Sequence, residues 1–263
     1  MDLLRDIREW GYESVEFPMF APDCSPWPTL AARLDELGLS RTAVTVIPQD
    51  ASPIADSASA RRQGVDHLRL CIDSCATLGA GVLCGPMYSP CGLLVGRGPD
   101  EREWDWAVAV LREAGEHAAG AGVKLAVEPL NRFETYFLNS VADASRLVDE
   151  VGLASVGILY DTFHANIEEK DPVGAIEQAG ERIVHFHVSE NDRSTPGAGH
   201  IPWAWTFAAL KTNGYEGALT VEAFGRAMPE VAAATSIWRP MFESDRTLAE
   251  DACKFIRDIW SAA

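Results

Sequence analysis

Three acidic residues and one histidine close four successive apolar segments in the second half of the chain. They are Glu128 after residues 124–127, Asp161 at the end of 156–161, His187 near the end of 183–188, and Glu222 within 218–224. If these segments are parallel strands, their carboxyl ends meet at one edge and the four side chains can face one centre. One carboxylate at a strand end is often only a helix cap. Four together predict an oxygen-rich cation site that suits Mn²⁺, Mg²⁺ or Co²⁺.

Such a site has a definite chemical use. A divalent cation polarises the carbonyl of a hydroxy-ketone and stabilises the enediolate formed when an adjacent C–H proton is removed. Glu128 and Glu222 lie on opposite sides of the predicted ring and could act on opposite faces of one carbon, as inversion requires. The loops after the strands add further polar side chains: Arg132, Glu134, His164, Glu190 and Arg193. We therefore expect an epimerase.

Helical and strand patterns alternate along the whole chain. Strands are predicted at 14–17, 41–47, 81–85, 124–129, 156–161, 183–188 and 218–224, and helices at 2–11, 28–38, 58–79, 100–120, 140–151, 172–179, 203–213 and 244–260. Apolar strands that alternate with helices are typical of a parallel sheet covered on both faces. The fold class is α/β, and we predict one (β/α)8 TIM barrel domain over residues 1–263.

The first predicted element is a helix, whereas an eight-stranded barrel begins with a strand. We therefore expect the barrel to lack its first N-terminal strand, either because the chain begins inside the first β/α unit or because another element fills that place. A doubly wound open sheet is the structural alternative.

Composition and charge argue against some classes of binding partner. Lys plus Arg is 22 and Asp plus Glu is 39, which gives a net charge of −17 and disfavours nucleic acid. We find neither a signal peptide nor a run long enough to span a bilayer, so we expect a cytoplasmic protein without a membrane partner. The six cysteines, Cys24, Cys71, Cys75, Cys84, Cys91 and Cys253, have no paired CxxC spacing and are interpreted as reduced, buried thiols.

Four segments resemble one known family. AVEPLNRFETYFLN (126–139), YDTFHANIEE (160–169), HFHVSENDR with PGAGHIPW (185–203) and TVEAF (220–224) resemble the D-tagatose 3-epimerase and D-allulose (psicose) 3-epimerase family of xylose-isomerase-like barrels. The resemblance covers roughly residues 80–260 and is looser before that.

The resemblance implies a role for seven residues. Glu128 and Glu222 would be catalytic carboxylates and metal ligands; Asp161 and His187 would complete the metal site; Glu134, His164 and Arg193 would bind substrate. The family chemistry implies C3 deprotonation and reprotonation of a free ketohexose through a cis-enediolate, of the D-tagatose/D-sorbose or D-allulose/D-fructose type. Mn²⁺ is the expected metal, with Co²⁺ or Mg²⁺ as alternatives, and a homodimer or homotetramer is the expected assembly.

The sequence is also compatible with other functions that occur on the same scaffold. They are a hydroxypyruvate or sugar-phosphate isomerase, a keto-inositol dehydratase, a C-glycoside-cleaving subunit and a non-catalytic subunit. A phosphorylated substrate would need extra basic groups, and the active-face loops offer chiefly Arg97, Arg132 and Arg193. A metal-dependent endonuclease is disfavoured by the charge of −17 and by only six histidines.

Some residues near the predicted site have less definite roles. His185 is interpreted as a supporting residue one layer deeper in the barrel than His187. His200 is interpreted as a loop residue, and Glu190 has no assigned role. Candidates for an apolar wall beside the sugar are Phe17, Trp27, Met87, Tyr88 and Trp104.

Overall fold

Parallel strands form the sheet in the same order as they occur in the chain. The computed structural model describes residues 2–22 and 26–263. Within those ranges the sheet has seven strands, in the order β1 to β7: β1 (Ser14–Pro18), β2 (Ser40–Val44), β3 (Val82–Gly85), β4 (Lys124–Val127), β5 (Val156–Asp161), β6 (Ile183–Val188) and β7 (Leu219–Val221). The predicted Cys24 thiol lies outside the described residues.

Helices connect the strands, and the longer ones pack side by side around the outside of the sheet. The helices are α1 (Leu3–Glu9), α2 (Trp27–Leu37), α3 (Ala58–Leu78), α4 (Glu101–Ala121), α5 (Val141–Val151), α6 (Thr162–Glu168), α7 (Pro172–Ala179), α8 (Trp203–Thr212), α9 (Pro229–Ala234) and α10 (Asp245–Ala262). None of the helices in the described ranges combines the length and apolar character needed to cross a membrane. Cys71 and Cys75 both lie buried on α3, as predicted for packed thiols.

The sheet curls into a nearly closed barrel, which confirms the predicted fold class. Glu16 on β1 accepts a hydrogen bond from His185 on β6 across the interior, at 2.7 Å. Side chains of the first and sixth strands could not meet in this way across an open, doubly wound sheet. Strands β1 and β7 end the hydrogen-bonded order, and a cavity of about 290 Å³ lies between them. This opening is where an eighth strand would complete a TIM barrel.

Two short helices were not predicted. Residues 162–168 and 229–234 are helical, where the sequence pattern indicated loops. The first of these, α6, begins at Asp161, whose Oδ1 accepts hydrogen bonds from the backbone N–H groups of Phe163 (2.7 Å) and His164 (3.0 Å). Helix α6 has only seven residues, too few to show a helical period in the sequence. The capping residue Asp161 was therefore the only sequence signal for this helix.

Several strands are shorter than their apolar patterns. β2 ends at Val44 rather than residue 47, and β7 spans only Leu219–Val221. Glu222 lies just beyond the last residue of β7, and its backbone N–H donates to the Val188 carbonyl of β6 at 3.1 Å. Gly85 ends β3 with a φ of 124°, and a Cβ there would stand 2.1 Å from the Thr45 carbonyl oxygen. Only glycine allows β2 and β3 to approach so closely at the rim.

Candidate metal and sugar site

The carboxyl ends of β4 to β7 bring the four predicted ligands to the same rim of the barrel. Parallel pairing places Asp161 beside His187 in the register of β5 and β6. Glu128 is 5% exposed, Asp161 2% and His187 1%, whereas the Glu222 side chain is 23% exposed. Glu222 therefore lies nearest the solvent.

Three of the four residues offer ligand atoms to a common point. Atoms of Glu128, Asp161 and His187 all lie within 4.8 Å of one another. Asp161 Oδ2 stands 3.7 Å from His187 Nδ1, and neither buried atom has a hydrogen-bond partner. Buried polar atoms without partners are costly, and here they face one another with lone pairs that a cation could bind. The donor set thus fits a divalent cation.

Glu222 is close to this group, but an arginine also binds it. Its Oε1 lies 3.5 Å from His187 Nδ1, whereas its Oε2 accepts a hydrogen bond from the Arg193 guanidinium. The same guanidinium lies 3.7 Å from Asp161 Oδ2. Arg193 therefore neutralises part of the negative charge that the carboxylates create.

The pKa values of the two glutamates are shifted in opposite directions. Burial raises the pKa of Glu128 well above its ordinary value, and the neighbouring Glu222 raises it further. Burial acts the same way on Glu222, but Arg193 and His187 outweigh it and lower the pKa of that carboxyl. Burial also raises the pKa of Asp161, to about 7. In the absence of a cation, Arg193 and burial thus act on the two carboxyls in opposite directions.

Arg193 is held in an unusual backbone conformation. Its φ is 63°, in the left-handed region that non-glycine residues seldom adopt, and its side chain lies over the rings of Phe163 (4.0 Å) and Phe224 (5.0 Å). The Arg193 carbonyl accepts from the Phe224 backbone N–H at 3.0 Å. Strain of this kind persists where the surroundings impose it, often at functional sites. The two phenylalanines were missed in the sequence, because their contact with Arg193 is tertiary.

His164 is fixed in the neutral state. Its Nδ1 lies 3.0 Å from the Asn131 backbone N–H and its Nε2 lies 3.1 Å from Arg193 Nη2, so a hydrogen-bond donor faces each ring nitrogen. Nε2 also lies 3.6 Å from Glu128 Oε1. Burial, followed by the charge of Arg193, lowers the pKa of His164 well below its ordinary value. Glu134, also predicted to bind substrate, accepts from Asn131 Nδ2 at 2.8 Å. Asn131 thus connects the two predicted substrate residues.

The loop after β6 is organised by Glu190. Its buried carboxylate accepts hydrogen bonds from five donors: the backbone N–H groups of Asn191, Gly197, His200 and Ile201, and the Trp203 indole. The residue left unassigned in the sequence is therefore a structural anchor of the active-face loop. His200 is exposed in that loop, in agreement with its interpretation.

Glu16 also belongs to the site and was not predicted. It lies on β1, and its Oε1 accepts a hydrogen bond from His187 Nε2 at 2.8 Å. Its Oε2 accepts from His185 Nε2, so His185 lies beneath His187 and supports the site from below. The only sequence signal was an acidic residue in an otherwise apolar strand.

The five residues predicted to form an apolar wall beside the sugar lie in different parts of the fold. Met87 and Tyr88 are fully buried, and the Tyr88 hydroxyl donates to the Glu128 carbonyl at 2.9 Å. Trp104 instead lies on α4, and its indole donates to Glu150 of α5 at 2.7 Å. Trp104 therefore packs between two outer helices. The Trp27 indole donates to the Pro22 carbonyl at 2.7 Å, and Phe17 is half-buried on β1.

The sequence and the fold are those of a known family of barrels. Residues 4–259 match the model of the xylose isomerase-like TIM barrel family, and the chain belongs to that family. A probable ketose 3-epimerase of Synechocystis sp. is 33% identical over 258 residues, which are 98% of this chain and 90% of that protein. The prediction of an enzyme of the carbohydrate epimerase class is thereby confirmed.

Solved structures of relatives have the same fold. A structure of an L-ribulose 3-epimerase superposes with a TM-score of 0.94 at 31% identity, covering 98% of this chain and 88% of that one. A D-allulose 3-epimerase of Methylomonas sp. in complex with D-allulose superposes with a TM-score of 0.92 at 26% identity, covering 97% and 89%. Both relatives act on ketoses, by name.

Proposed function

We propose that the protein is a metal-dependent ketose 3-epimerase acting on free ketohexoses, of the D-tagatose/D-sorbose or D-allulose/D-fructose type. The observation that carries the proposal is geometric: ligand atoms of Glu128, Asp161 and His187 lie within 4.8 Å of one another at one rim, and Glu222 Oε1 lies 3.5 Å from His187 Nδ1. An epimerase needs one group to take a proton and another to return one to the opposite face. The named activities of the relatives support this reading.

Each residue has a part in the proposed reaction. One of the two carboxylates, Glu128 or Glu222, takes the proton from C3, and the other returns a proton to the opposite face. The same pair with exchanged protons catalyses the reverse reaction. Arg193 gives up its contact with Glu222 and binds sugar oxygens with its planar guanidinium. His164 contacts the sugar, and Glu134 accepts from a hydroxyl group.

Glu128, Asp161, His187 and Glu222 are the proposed metal ligands. The bound ion, Mn²⁺ by preference and Co²⁺ or Mg²⁺ otherwise, would polarise the ketone and stabilise the negative charge of the enediolate. The support is the oxygen-rich donor set and the two partnerless buried atoms, Asp161 Oδ2 and His187 Nδ1.

A free sugar is favoured over a sugar phosphate. Arg132 forms a bidentate pair with Glu168, with Nη2 to Oε2 at 2.8 Å, and Arg97 forms one with Glu103 at 2.7 and 2.8 Å. Of the three arginines that the active-face loops offered for a phosphate, Arg193 alone lies at the site. One guanidinium already shared by two carboxylates is a poor phosphate site.

The proposal also includes the cellular location of the enzyme, its oligomeric state and the redox state of its cysteines. We propose a cytoplasmic homodimer or homotetramer, with Cys75, Cys84 and Cys253 as buried reduced thiols. Light scattering of the purified protein tests the assembly, since a monomer at micromolar concentration would contradict it.

The test is solvent exchange in D₂O. Metal-loaded protein is incubated separately with D-allulose, D-fructose, D-tagatose and L-ribulose, and deuterium is located by NMR. The expected result is deuterium at C3 together with the epimer, because the returning carboxyl group delivers a solvent-derived proton. Deuterium at C1 would instead indicate aldose–ketose isomerisation, and no exchange with any of the four sugars would refute the proposal.

A further inference from the structure

Glu16 is a charged residue in the barrel interior that the proposed reaction does not use. It lies on β1, and its carboxylate stands between the two histidines of β6, with 2.7 Å from Oε2 to His185 Nε2 and 2.8 Å from Oε1 to His187 Nε2. The Glu16 side chain is 9% exposed, and each histidine is 1% exposed. Water therefore has little access to these contacts.

The other neighbours of Glu16 are also donors. The Thr42 hydroxyl donates to Oε2 at 2.7 Å, and the Cys84 thiol donates to the same oxygen at 3.5 Å. The four donors thus surround the carboxylate from both of its oxygens, as they surround an ionised group. An ionised carboxylate only accepts hydrogen bonds, so the His187 nitrogen that faces it must carry a proton.

This contact decides which nitrogen of His187 can bind a cation. A neutral imidazole with its proton on Nε2 has its lone pair on Nδ1. Nδ1 is the atom that lies 3.7 Å from Asp161 Oδ2 and 3.5 Å from Glu222 Oε1, and it has no hydrogen-bond partner. The alternative tautomer would direct an N–H group at the carboxylates and remove one ligand atom from the site.

We propose that Glu16 is a positioning residue that holds His187 as the Nε2–H tautomer and thereby directs the Nδ1 lone pair into the cation site. The inference rests on the metal site of the proposed function, and it does not depend on which sugar is turned over. Carboxylates that orient ligand histidines in this way influence metal affinity about 10–100-fold.

A second metal site at Glu16, Cys84, His185 and His187 is the competing interpretation, since these four residues also bring ligand atoms within 4.8 Å of one another. The two glutamate–histidine distances of 2.7 and 2.8 Å argue against it. Ligands placed tetrahedrally around an ion at about 2 Å stand more than ~3 Å apart. The short distances are those of hydrogen bonds.

The first test measures Mn²⁺ binding by the electron paramagnetic resonance signal of the free ion. Wild type, Glu16→Gln, Glu16→Ala and the control Glu13→Gln are compared; Glu13 is exposed and lies just before the same strand. We expect both Glu16 variants to bind Mn²⁺ at least about tenfold more weakly, and the control to match wild type. Equal affinity in the Glu16 variants would overturn the inference alone, whereas no Mn²⁺ binding by wild type would overturn the metal site as well.

The second test needs no variant, so it holds even if the Glu16 variants fold poorly. Wild-type protein with ¹⁵N-labelled histidine is saturated with diamagnetic Mg²⁺, and the nitrogen shifts and N–H couplings of His187 are measured. The expected result is a proton on Nε2 and none on Nδ1, and a proton on Nδ1 would overturn the inference. If the protein shows the expected tautomer but epimerises no sugar, the positioning role stands and the proposed function fails. Two Zn²⁺ ions per chain, one of them lost in Cys84→Ser, would favour the second metal site instead and overturn the inference.

Discussion

Glu222 and Arg193 form an ion pair that joins the end of strand β7 to the loop after β6. Oε2 of Glu222 accepts from Nη1 of Arg193, and the Phe224 backbone N–H donates to the Arg193 carbonyl at 3.0 Å. Two loops that begin on neighbouring strands are thus connected by both side chain and backbone. The ion pair keeps Glu222 ionised beside the candidate cation site.

Removing the charge of Glu222 should abolish most of the epimerisation. Glu222→Gln keeps the size of the side chain but cannot take a proton, so kcat should fall about 10²–10⁴-fold. Turnover of D-allulose or D-tagatose under metal saturation measures the effect. Glu216→Gln, at an exposed position ahead of the same strand, is the control. Wild-type turnover in Glu222→Gln would show that the two-carboxylate assignment is wrong.

Replacing Arg193 by lysine should weaken sugar binding although the charge is kept. Lysine has no planar fork and cannot lie flat over Phe163, whose ring the guanidinium covers at 4.0 Å. We expect kcat/KM to fall at least about tenfold, or ~1.4 kcal/mol. Steady-state kinetics measure this, with the exposed Arg246→Lys on α10 as the control. An unchanged kcat/KM would exclude a specific role for the guanidinium.

Loss of the Glu190 charge should destabilise the fold. Glu190→Gln retains one acceptor oxygen but places an amide N–H₂ against backbone donors such as those of Gly197 and Ile201. Hydrogen bonds to a buried charge contribute about 1.5–3 kcal/mol each, so we expect a loss of ~2–4 kcal/mol. Urea unfolding measures it, against Glu177→Gln at an exposed position of α7. A loss below ~0.5 kcal/mol would contradict the anchoring role.

Stability should depend on pH through Glu103 at the start of α4. Its carboxylate accepts from Arg97, from the Asp100 backbone N–H at 2.9 Å and from the Tyr136 hydroxyl at 2.8 Å, and Arg97 first among these lowers its pKa to about 2. A carboxyl whose folded pKa is lowered stabilises the fold above its unfolded pKa, near 4.5, and this contribution is lost as the pH falls toward 2.

Replacing Glu103 by glutamine tests this pH dependence of stability. Glu103→Gln should lose about 1–2 kcal/mol at pH 7, a value reduced because Arg97 is half-exposed and screened by solvent. Urea unfolding of both proteins between pH 7 and pH 3 should show the difference shrinking below about pH 4.5. A constant difference across that range would assign the effect to packing rather than charge.

Arg132 should matter little to catalysis. Its side chain is 61% exposed, and its guanidinium is already paired with Glu168. We expect Arg132→Ala to change KM for a free ketohexose by less than about twofold, which is under ~0.5 kcal/mol. A large rise in KM would restore the sugar-phosphate alternative, and competition by ketohexose phosphates would then identify the preferred ligand.

Much of the fold could be predicted because its signals are local. The apolar runs at 156–161 and 183–188 are the strands β5 and β6 residue for residue. The helices ended near glycines and began at capping residues, as in α4, where Asp100 and Glu103 cap one another. The short helices α6 and α9 were missed because a single turn or two carries too few residues to establish a period.

The sequence by itself determined which residues close the strands, and so which side chains reach the active rim: Glu128, Asp161, His187 and Glu222. Only the tertiary structure decided how they meet. Glu16 and His185 are in contact although they are 169 positions apart along the chain. The Arg193 guanidinium, in the loop after β6, donates to Glu222 at the end of β7. Strand ends follow from local periodicity, whereas contacts across a barrel depend on its curvature and on the register between strands, which no local pattern specifies.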